Sequence, residues 1–248
     1  MKISIITVVF NGESTLEDSI NSVISQNYKD LEYIIIDGNS TDNTINIINS
    51  YKDHISYFIS ETDGGIYDAM NKGIALASGD VVGILNSDDL YQSPNVLNLV
   101  MEQFKNDNSI DIVYGDLVYV KSYNVNHVVR YWKSKPFNKY FFEMGNVPPH
   151  PSLFLKRKIY DEAGMFNLKY RLAADYEYML RIFKNYKYNS KYINETIVRM
   201  RLGGATNKNI SNILKQNREI YNAWSNNNLS LPFFLMPLRI IKRVLQFF

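Results

Sequence analysis

The stretch Val81-Val82-Gly83-Ile84-Leu85-Asn86-Ser87-Asp88-Asp89 runs from an apolar segment directly into two adjacent acids. The apolar part predicts a buried β-strand, so the acids follow the end of that strand. Two adjacent carboxylates repel each other, and a divalent cation such as Mg²⁺ or Mn²⁺ removes the repulsion because it prefers oxygen ligands. Asn-Ser-Asp-Asp is also good turn composition. Taken alone, the stretch favours a metal site and a solvated turn about equally.

The first hundred residues alternate between strand and helix patterns. Ser14 and Glu17 predict a capping box at the first helix, and Ser93-Pro94 predicts an N-cap followed by proline at the fourth. Strands alternating with helices predict an α/β fold with a mainly parallel central sheet flanked by helices. The predicted strands of this part lie at residues 3–10, 31–36, 55–60 and 81–85.

Asp37, Asp63 and Asp88 each lie at or just beyond the end of a predicted strand. Open parallel sheets bind ligands at the carboxyl ends of their strands. We therefore expect these three acids at one edge of the sheet, which favours the metal site over the turn.

The pattern changes beyond residue 109, where short strands are predicted at 112–114, 117–120, 128–132 and 150–155. Two helices, at about 156–163 and 176–185, complete this part of the prediction. Residues 133–149 read as a loop, and its aromatic residues 137–142 would stack on a sugar, touch lipid or, as is more common, enter the core. The predicted organisation is an α/β domain at 1–207, with halves at about 1–108 and 109–207, and a helical tail at 208–248.

The amino-acid composition limits the classes of protein to which this chain can belong. The 248 residues are 46% hydrophobic and contain no cysteine, which provides for a core and excludes disulfides and thiolate metal sites. The first apolar segment is too short for a signal peptide and lacks a cleavage site, so it predicts a strand. The segment after Asn207 contains six basic residues and one acid, Glu219, so its net charge is +5. Because the whole chain carries +2, the residues before that segment carry −3. A slightly acidic body is not typical of nucleic-acid binding.

The tail contains two predicted helices. Residues 209–224 carry an apolar stripe typical of a docking helix. Residues 231–248 are apolar but include Arg239, Lys242 and Arg243, a combination that suits a helix lying on an anionic membrane surface. A terminal helix packed on the body is the close alternative.

Six motifs in order resemble those of the family 2 glycosyltransferases, over about residues 3–205. The resemblance implies a GT-A fold, an inverting transfer and a Mn²⁺ or Mg²⁺ cofactor. Asn86 departs from the family pattern, which usually has Asp there, and weakens the case for two carboxylates on the metal. The motifs lie at residues 4–11, 36–44, 61–80, 85–89, 173–177 and 203–206.

The resemblance also implies roles for individual residues. Asp175 would be the catalytic base and Asp88 the metal ligand, while His150 would touch the acceptor or a phosphate. Strand and turn roles remain the alternative for Thr7 and Asn11, and a helix cap for Asp37 and Asp175. A loop position is the alternative for Asp63, a solvated helix face for Asn71, support of Asp88 for Asp89, and a structural role for His150. The residues implied in binding the donor nucleotide-sugar are Thr7, Asn11, Asp37, Asp63, Asn71, Asn86 and Asp89.

The implied reaction moves a hexose or N-acetylhexosamine from a UDP-sugar to a saccharide acceptor. The resemblance and the tail together suggest an acceptor linked to undecaprenyl diphosphate, in O-antigen or other surface polysaccharide synthesis, at the cytoplasmic face of a bacterial plasma membrane. An inactive sugar-nucleotide-binding scaffold is one alternative. A nucleotidyltransferase is less favoured because no basic phosphate loop follows the first strand, and no GxGxxG of a dehydrogenase occurs there either.

Overall fold

The computed structural model describes residues 1–186, 188–203 and 210–245. Its first half contains β1 (Ile3–Val9), α1 (Leu16–Ile24), β2 (Leu31–Asp37), α2 (Thr44–Ser50), β3 (Tyr57–Ser60), α3 (Ile66–Leu76), β4 (Val81–Ile84), β5 (Asp89–Tyr91) and α4 (Val96–Asn106). The remainder contains β6 (Ile110–Lys121), β7 (Asn124–Trp132), β8 (Leu153–Lys156), α5 (Lys158–Ala163), α6 (Ala174–Lys184), β9 (Asn189–Arg201), α7 (Ile210–Asn226) and α8 (Leu235–Leu245).

All the described strands belong to one sheet with the order β3-β2-β1-β4-β8-β6-β9-β5, and β7 pairs with β6. The first four strands pair in parallel, as the alternating pattern predicts. β8 joins the two halves through antiparallel pairing with β4 and β6, and β9 lies parallel to β6. The predicted α/β fold with flanking helices is confirmed, and its sheet is mixed.

The core lies on both faces of this sheet. Ile6, Ile34 and Ile36 pack on one face with residues of α3 and α6. Ile5 and Ile35 point to the opposite face, where α1 and α4 cover them. Because both faces are covered, β1, β2 and β4 are buried along almost their whole length and are mainly apolar.

Two predicted helix starts are wrong. α1 begins at Leu16 with Thr15 at its N-cap, and no side chain bonds to the cap. The backbone carbonyl of Gly12 accepts from the N–H groups of Thr15 and Leu16 instead, so the capping box of Ser14 does not form. α4 begins at Val96 with Asn95, not Ser93, at its N-cap.

The second half differs from prediction in its strands. The two segments predicted at 112–120 are one strand, β6, with irregular register toward β9. Residues His150–Ser152 form a 3₁₀ turn, so the strand expected from residue 150 begins at Leu153. The sequence analysis did not predict β9. Its polar residues interrupt the apolar pattern, yet it is the strand that connects β6 to β5.

The segment at 133–149 is partly core. Phe141 and Phe142 are fully buried, whereas Tyr140 is exposed. α7 buries Ile220 and Trp224 but leaves Leu214 exposed, so its predicted docking stripe is only partly buried.

α8 packs on the body through the fully buried Leu235 and through two basic residues. The Arg239 guanidinium lies 4.9 Å from the centre of the Tyr176 ring, and the Lys242 ammonium donates to the side-chain oxygen of Asn146. Within the described ranges, no helix is long and apolar enough to cross a bilayer.

Candidate active site

Asp37 organises the carboxyl ends of the first three strands. It ends β2 and is fully buried. One carboxylate oxygen accepts from the Ser40 hydroxyl at 2.5 Å, and the other accepts from the Ser40 N–H at 3.0 Å and from the Ser60 hydroxyl at 2.6 Å. Asn11, in the left-handed region at φ 51°, accepts from the Thr41 N–H at 2.9 Å. The loops after β1, β2 and β3 are therefore tied together.

Asp63 lies against the same loops. A Cβ atom on Gly38 would come within 2.7 Å of a carboxylate oxygen of Asp63, so a larger residue at position 38 would displace that carboxylate. The other oxygen of Asp63 accepts from the Gly65 N–H at 2.8 Å. The structure thus brings Asp37, Asp63 and Asn11 to one edge of the sheet.

Two of the predicted donor residues have internal partners. Thr7 is fully buried within β1, and its hydroxyl accepts from Tyr33 at 3.1 Å. The Asn71 amide donates to the Phe166 carbonyl at 2.9 Å and accepts from the Phe166 N–H at 3.0 Å. Both of these side chains are engaged in structural hydrogen bonds.

The acidic motif after β4 contains buried polar atoms without partners. Asn86 donates to one carboxylate oxygen of the fully buried Asp89 at 3.3 Å. The other Asp89 oxygen and the side-chain oxygen of Asn86 are buried and have no hydrogen-bond partner. Such atoms are costly unless something binds them.

The adjacent charges of Asp88 and Asp89 add to the free-energy cost of the unpartnered atoms. Burial, together with the neighbouring charge of Asp88, raises the pKa of Asp89 well above its usual range. Burial also raises the pKa of Asp88, and the nearby Arg201 partly opposes that rise. A divalent cation would relieve both the repulsion and the missing contacts, so these residues fit a metal.

Metal ligation here would need more than these acids. Across residues 1–186, 188–203 and 210–245 no group of three or more His, Cys, Asp or Glu side chains is placed to hold an ion. Mg²⁺ and Mn²⁺ sites commonly combine one or two carboxylates with waters and substrate phosphates. The motif fits that arrangement.

Arg201 at the end of β9 is a site residue that the sequence analysis missed. Its guanidinium donates to the backbone carbonyl of Asp88 at 2.9 Å and to that of Ser122 at 3.1 Å, and forms an ion pair with Asp18 at 2.5 Å. Arg201 therefore fixes the backbone of the acidic motif. No sequence signal indicated this, because Asp88 lies 113 positions earlier.

Asp175 lies in the first turn of α6, whose N-cap is Ala173, so Asp175 is not the helix cap. One oxygen of Asp175 accepts from the Tyr67 hydroxyl at 2.9 Å. Burial and the charge of Asp175 raise the pKa of Tyr67 well above its usual range, which keeps Tyr67 a donor. Burial lowers the pKa of His150, and the charge of Asp175 partly opposes this effect. The structure thus brings Asp175, Tyr67 and His150 together.

A cavity of about 210 Å³ adjoins this group. Tyr67 lines it beside Gly64 and Gly65, the residues that follow Asp63. Leu168, Tyr170 and Arg171, which precede α6, also line it. The cavity therefore lies between the loop that follows Asp63 and the segment that leads into α6. Gly203 of the last motif is exposed, and Gly204, Ala205 and Thr206 lie outside the described residues.

Comparison with known proteins agrees with this geometry. Residues 4–162 match the family described as Glycosyl transferase family 2. A glycosyltransferase of Mycobacterium tuberculosis is 32% identical over 184 residues, which cover 72% of this chain and 68% of that protein. A PGL/p-HBAD biosynthesis glycosyltransferase of Mycobacterium bovis is 29% identical over 82% of this chain and 78% of its own.

Solved structures share the fold. S. aureus TarS 1-349 in complex with UDP has a TM-score of 0.68 and 16% identity, covering 93% of this chain and 67% of that one. The mannosyltransferase PcManGT from Pyrobaculum calidifontis, in complex with GDP-Man and Mn²⁺, has a TM-score of 0.62 and 16% identity, covering 98% and 74%.

The solved relatives show a GT-A fold, and the family match identifies the chain as a glycosyltransferase. The chain belongs to glycosyltransferase family 2. The family, fold and enzyme class predicted from the sequence are therefore confirmed.

Proposed function

We propose that the protein is an inverting, metal-dependent glycosyltransferase that moves a sugar from a UDP-sugar to a saccharide hydroxyl. The observation that carries the proposal is the cavity between the loop that follows Asp63 and the segment that leads into α6. Gly64 and Gly65, which follow Asp63, line it, and so does Tyr67, whose hydroxyl donates to Asp175. A donor and an acceptor would meet in this space.

The nucleoside would bind over the ends of β1 to β3. Asp37 and Asn11 would contact the nucleoside, and Asp63 would line the donor pocket. The internal bonds of Asp37 fix its carboxylate before any ligand arrives. Thr7 and Asn71 would contribute through the backbone segments that they hold, because their polar atoms already have partners.

The acidic motif would hold the cation. Asp88 is the proposed ligand, and the unpartnered oxygens of Asn86 and Asp89 are available to the metal, its waters or the donor sugar. When bound, Mn²⁺ or Mg²⁺ would neutralise the charge that develops on the departing diphosphate. Crystallisation of the structural relative PcManGT with Mn²⁺ supports this role.

Asp175 would act as the general base. As the acceptor oxygen attacks the anomeric carbon, its proton passes to the carboxylate of Asp175, and the bond between that carbon and the diphosphate oxygen breaks. Attack from the side opposite the leaving group inverts the anomeric centre. Tyr67 would orient Asp175, and the half-buried His150 would line the acceptor side.

The experiment is a transfer assay with a panel of UDP- and GDP-sugars and a lipid-linked saccharide acceptor, with Mn²⁺ or excess chelator. We expect transfer from a UDP-sugar that chelator abolishes. Asp175→Asn should lower kcat by about 100-fold or more while UDP affinity stays within about twofold. Undiminished transfer by this variant would refute the role of Asp175 as the general base. Transfer in the presence of chelator would refute the dependence on a metal.

The tail is a proposed membrane contact, at the inner face of the plasma membrane, with a lipid-linked acceptor of surface polysaccharide synthesis. The apolar residues Phe233, Phe234 and Ile241 are exposed and would enter an anionic bilayer. Arg239 and Lys242 contact the body of the protein. The proposed membrane contact therefore rests on the exposed apolar residues. Phe233→Ser with Phe234→Ser should reduce flotation with anionic vesicles. Unchanged flotation would refute the contact.

A further inference from the structure

Glu219 of α7 binds the segment that leads into α6. One carboxylate oxygen accepts from the Arg171 N–H at 3.1 Å. The other accepts from the N–H groups of Leu172 and Ala173 at 2.8 and 2.9 Å. Three consecutive backbone donors therefore converge on one side chain, the only acid after Asn207.

Other residues of α7 hold the same segment. The Gln216 amide donates to the Leu172 carbonyl at 3.3 Å. Further along the helix, the Asn226 amide donates to the Tyr170 hydroxyl at 2.7 Å, and the Trp224 indole donates to the Tyr176 hydroxyl at 2.9 Å. α7 thus fixes residues on both sides of Asp175.

The arrangement leaves Asp175 free for chemistry. Ala173 at the N-cap of α6 has no side-chain acceptor, and Asp175 does not act as the cap. Glu219 satisfies the backbone donors and places a negative charge near the helix N-terminus, where it is favourable. The carboxylate of Asp175 can therefore turn to Tyr67 and the adjoining cavity.

We propose that Glu219 is a positioning residue for the general base: it holds the 171–173 backbone so that Asp175 keeps its orientation toward the acceptor. The inference rests on the proposed role of Asp175. It makes α7 part of the catalytic machinery, although the helix lies outside the matched family region. Losing this support would misplace the base without disturbing the nucleotide, which binds at the strand ends.

The test compares Glu219→Gln with Glu219→Asp. Gln has one acceptor oxygen, and its amide nitrogen would oppose backbone donors; Asp keeps the charge and both acceptors. We expect E219Q to lower kcat by about 10- to 100-fold, the range that a small misplacement produces, with UDP affinity within about twofold. E219D should recover most of the lost activity. Glu102→Gln, the same change at an exposed site on α4, is the matched control and should behave as wild type.

The split between kcat and UDP affinity gives a readout that mere structural support would not move. A variant that loosens the whole fold lowers both quantities, whereas a misplaced base lowers kcat and leaves UDP affinity within about twofold. E102Q should change neither quantity.

The outcomes separate this inference from the proposed function. If D175N is inactive while E219Q matches wild type in kcat and UDP affinity, the positioning role of Glu219 is wrong and the role of Asp175 as the base stands. If D175N keeps full activity, the base itself is wrong. If E219Q fails to bind UDP, hydrogen exchange in the wild-type protein decides: slow exchange of the Leu172 and Ala173 amides supports the role, and rapid exchange overturns it.

Discussion

Two acidic strand ends of this protein, Asp37 after β2 and Asp89 after β4, are both fully buried but differ in what surrounds them. Asp37 receives three hydrogen bonds from Ser40 and Ser60. Asp89 receives a long one from Asn86 and keeps an oxygen with no partner. The first site is complete as the protein folds, whereas the second needs something from outside the chain. The proposed nucleotide side is therefore hydrogen-bonded within the chain, whereas the proposed metal side would be completed by a ligand.

The largest expected effect tests the metal side. Asp88→Asn removes the proposed ligand, so we expect kcat to fall by about 100-fold or more and UDP affinity to lose its dependence on Mn²⁺. Calorimetric titration of UDP with and without Mn²⁺ measures this. Asp37→Asn is the control, because its UDP affinity should weaken and still improve with Mn²⁺. If both variants respond to Mn²⁺ equally, the comparison fails.

The free energy of unfolding of an Asp37 variant tests whether the hydrogen bonds to Asp37 stabilise the protein without a ligand. Asp37→Asn leaves one acceptor oxygen and turns an NH₂ group toward the hydroxyl and N–H donors of Ser40 and Ser60. The free energy of unfolding should fall by about 2 kcal/mol, the cost of unsatisfied buried groups. Urea denaturation without ligand measures it. An unchanged midpoint would show that these bonds contribute nothing.

Glu32 on β2 extends the comparison to another acid with all its partners inside the chain. Burial raises its pKa, but hydrogen bonds from Lys2, Ser4 and Ser78 outweigh that effect and lower the pKa to about 2. A depressed folded-state pKa stabilises the protein above about pH 4.5, and the stabilisation is lost as pH falls toward about 2. Glu32→Gln should cost about 1 to 2 kcal/mol at pH 6 and progressively less in acid. Urea denaturation at several pH values tests this, and a constant difference would contradict it.

The smallest effect has the opposite sign. Asp89→Asn removes a buried charge that is repelled by Asp88, so the ligand-free protein should gain about 1 kcal/mol of unfolding free energy, the order of one pKa unit. Transfer activity should fall in the same variant. Urea denaturation of D89N and D37N, each compared with wild type, measures the two changes in unfolding free energy. Destabilisation of both variants would mean that the two strand ends are alike.

The sequence predicted the first half of the fold well because β1, β2 and β4 are continuous apolar runs buried on both faces. It missed β9, whose polar residues break the apolar pattern. With β9 it missed Arg201, whose partner Asp88 is close only after the sheet forms. Motifs located Asp88 and Asp175, but no local pattern tells that Glu219 would bind the 171–173 backbone. Contacts between residues that are far apart in the sequence cannot be read from a single sequence.

The long separation between Arg201 and Asp88 also has a consequence for the order of synthesis. During translation the acidic motif leaves the ribosome 113 residues before the arginine that fixes its backbone. The carboxylate that holds the entry to α6 follows Ala173 by another 46 residues. Because the proposed positioning of Asp175 depends on Glu219, a nascent chain would complete the proposed site only after α7 has emerged. Incomplete chains would then be unable to consume sugar nucleotides.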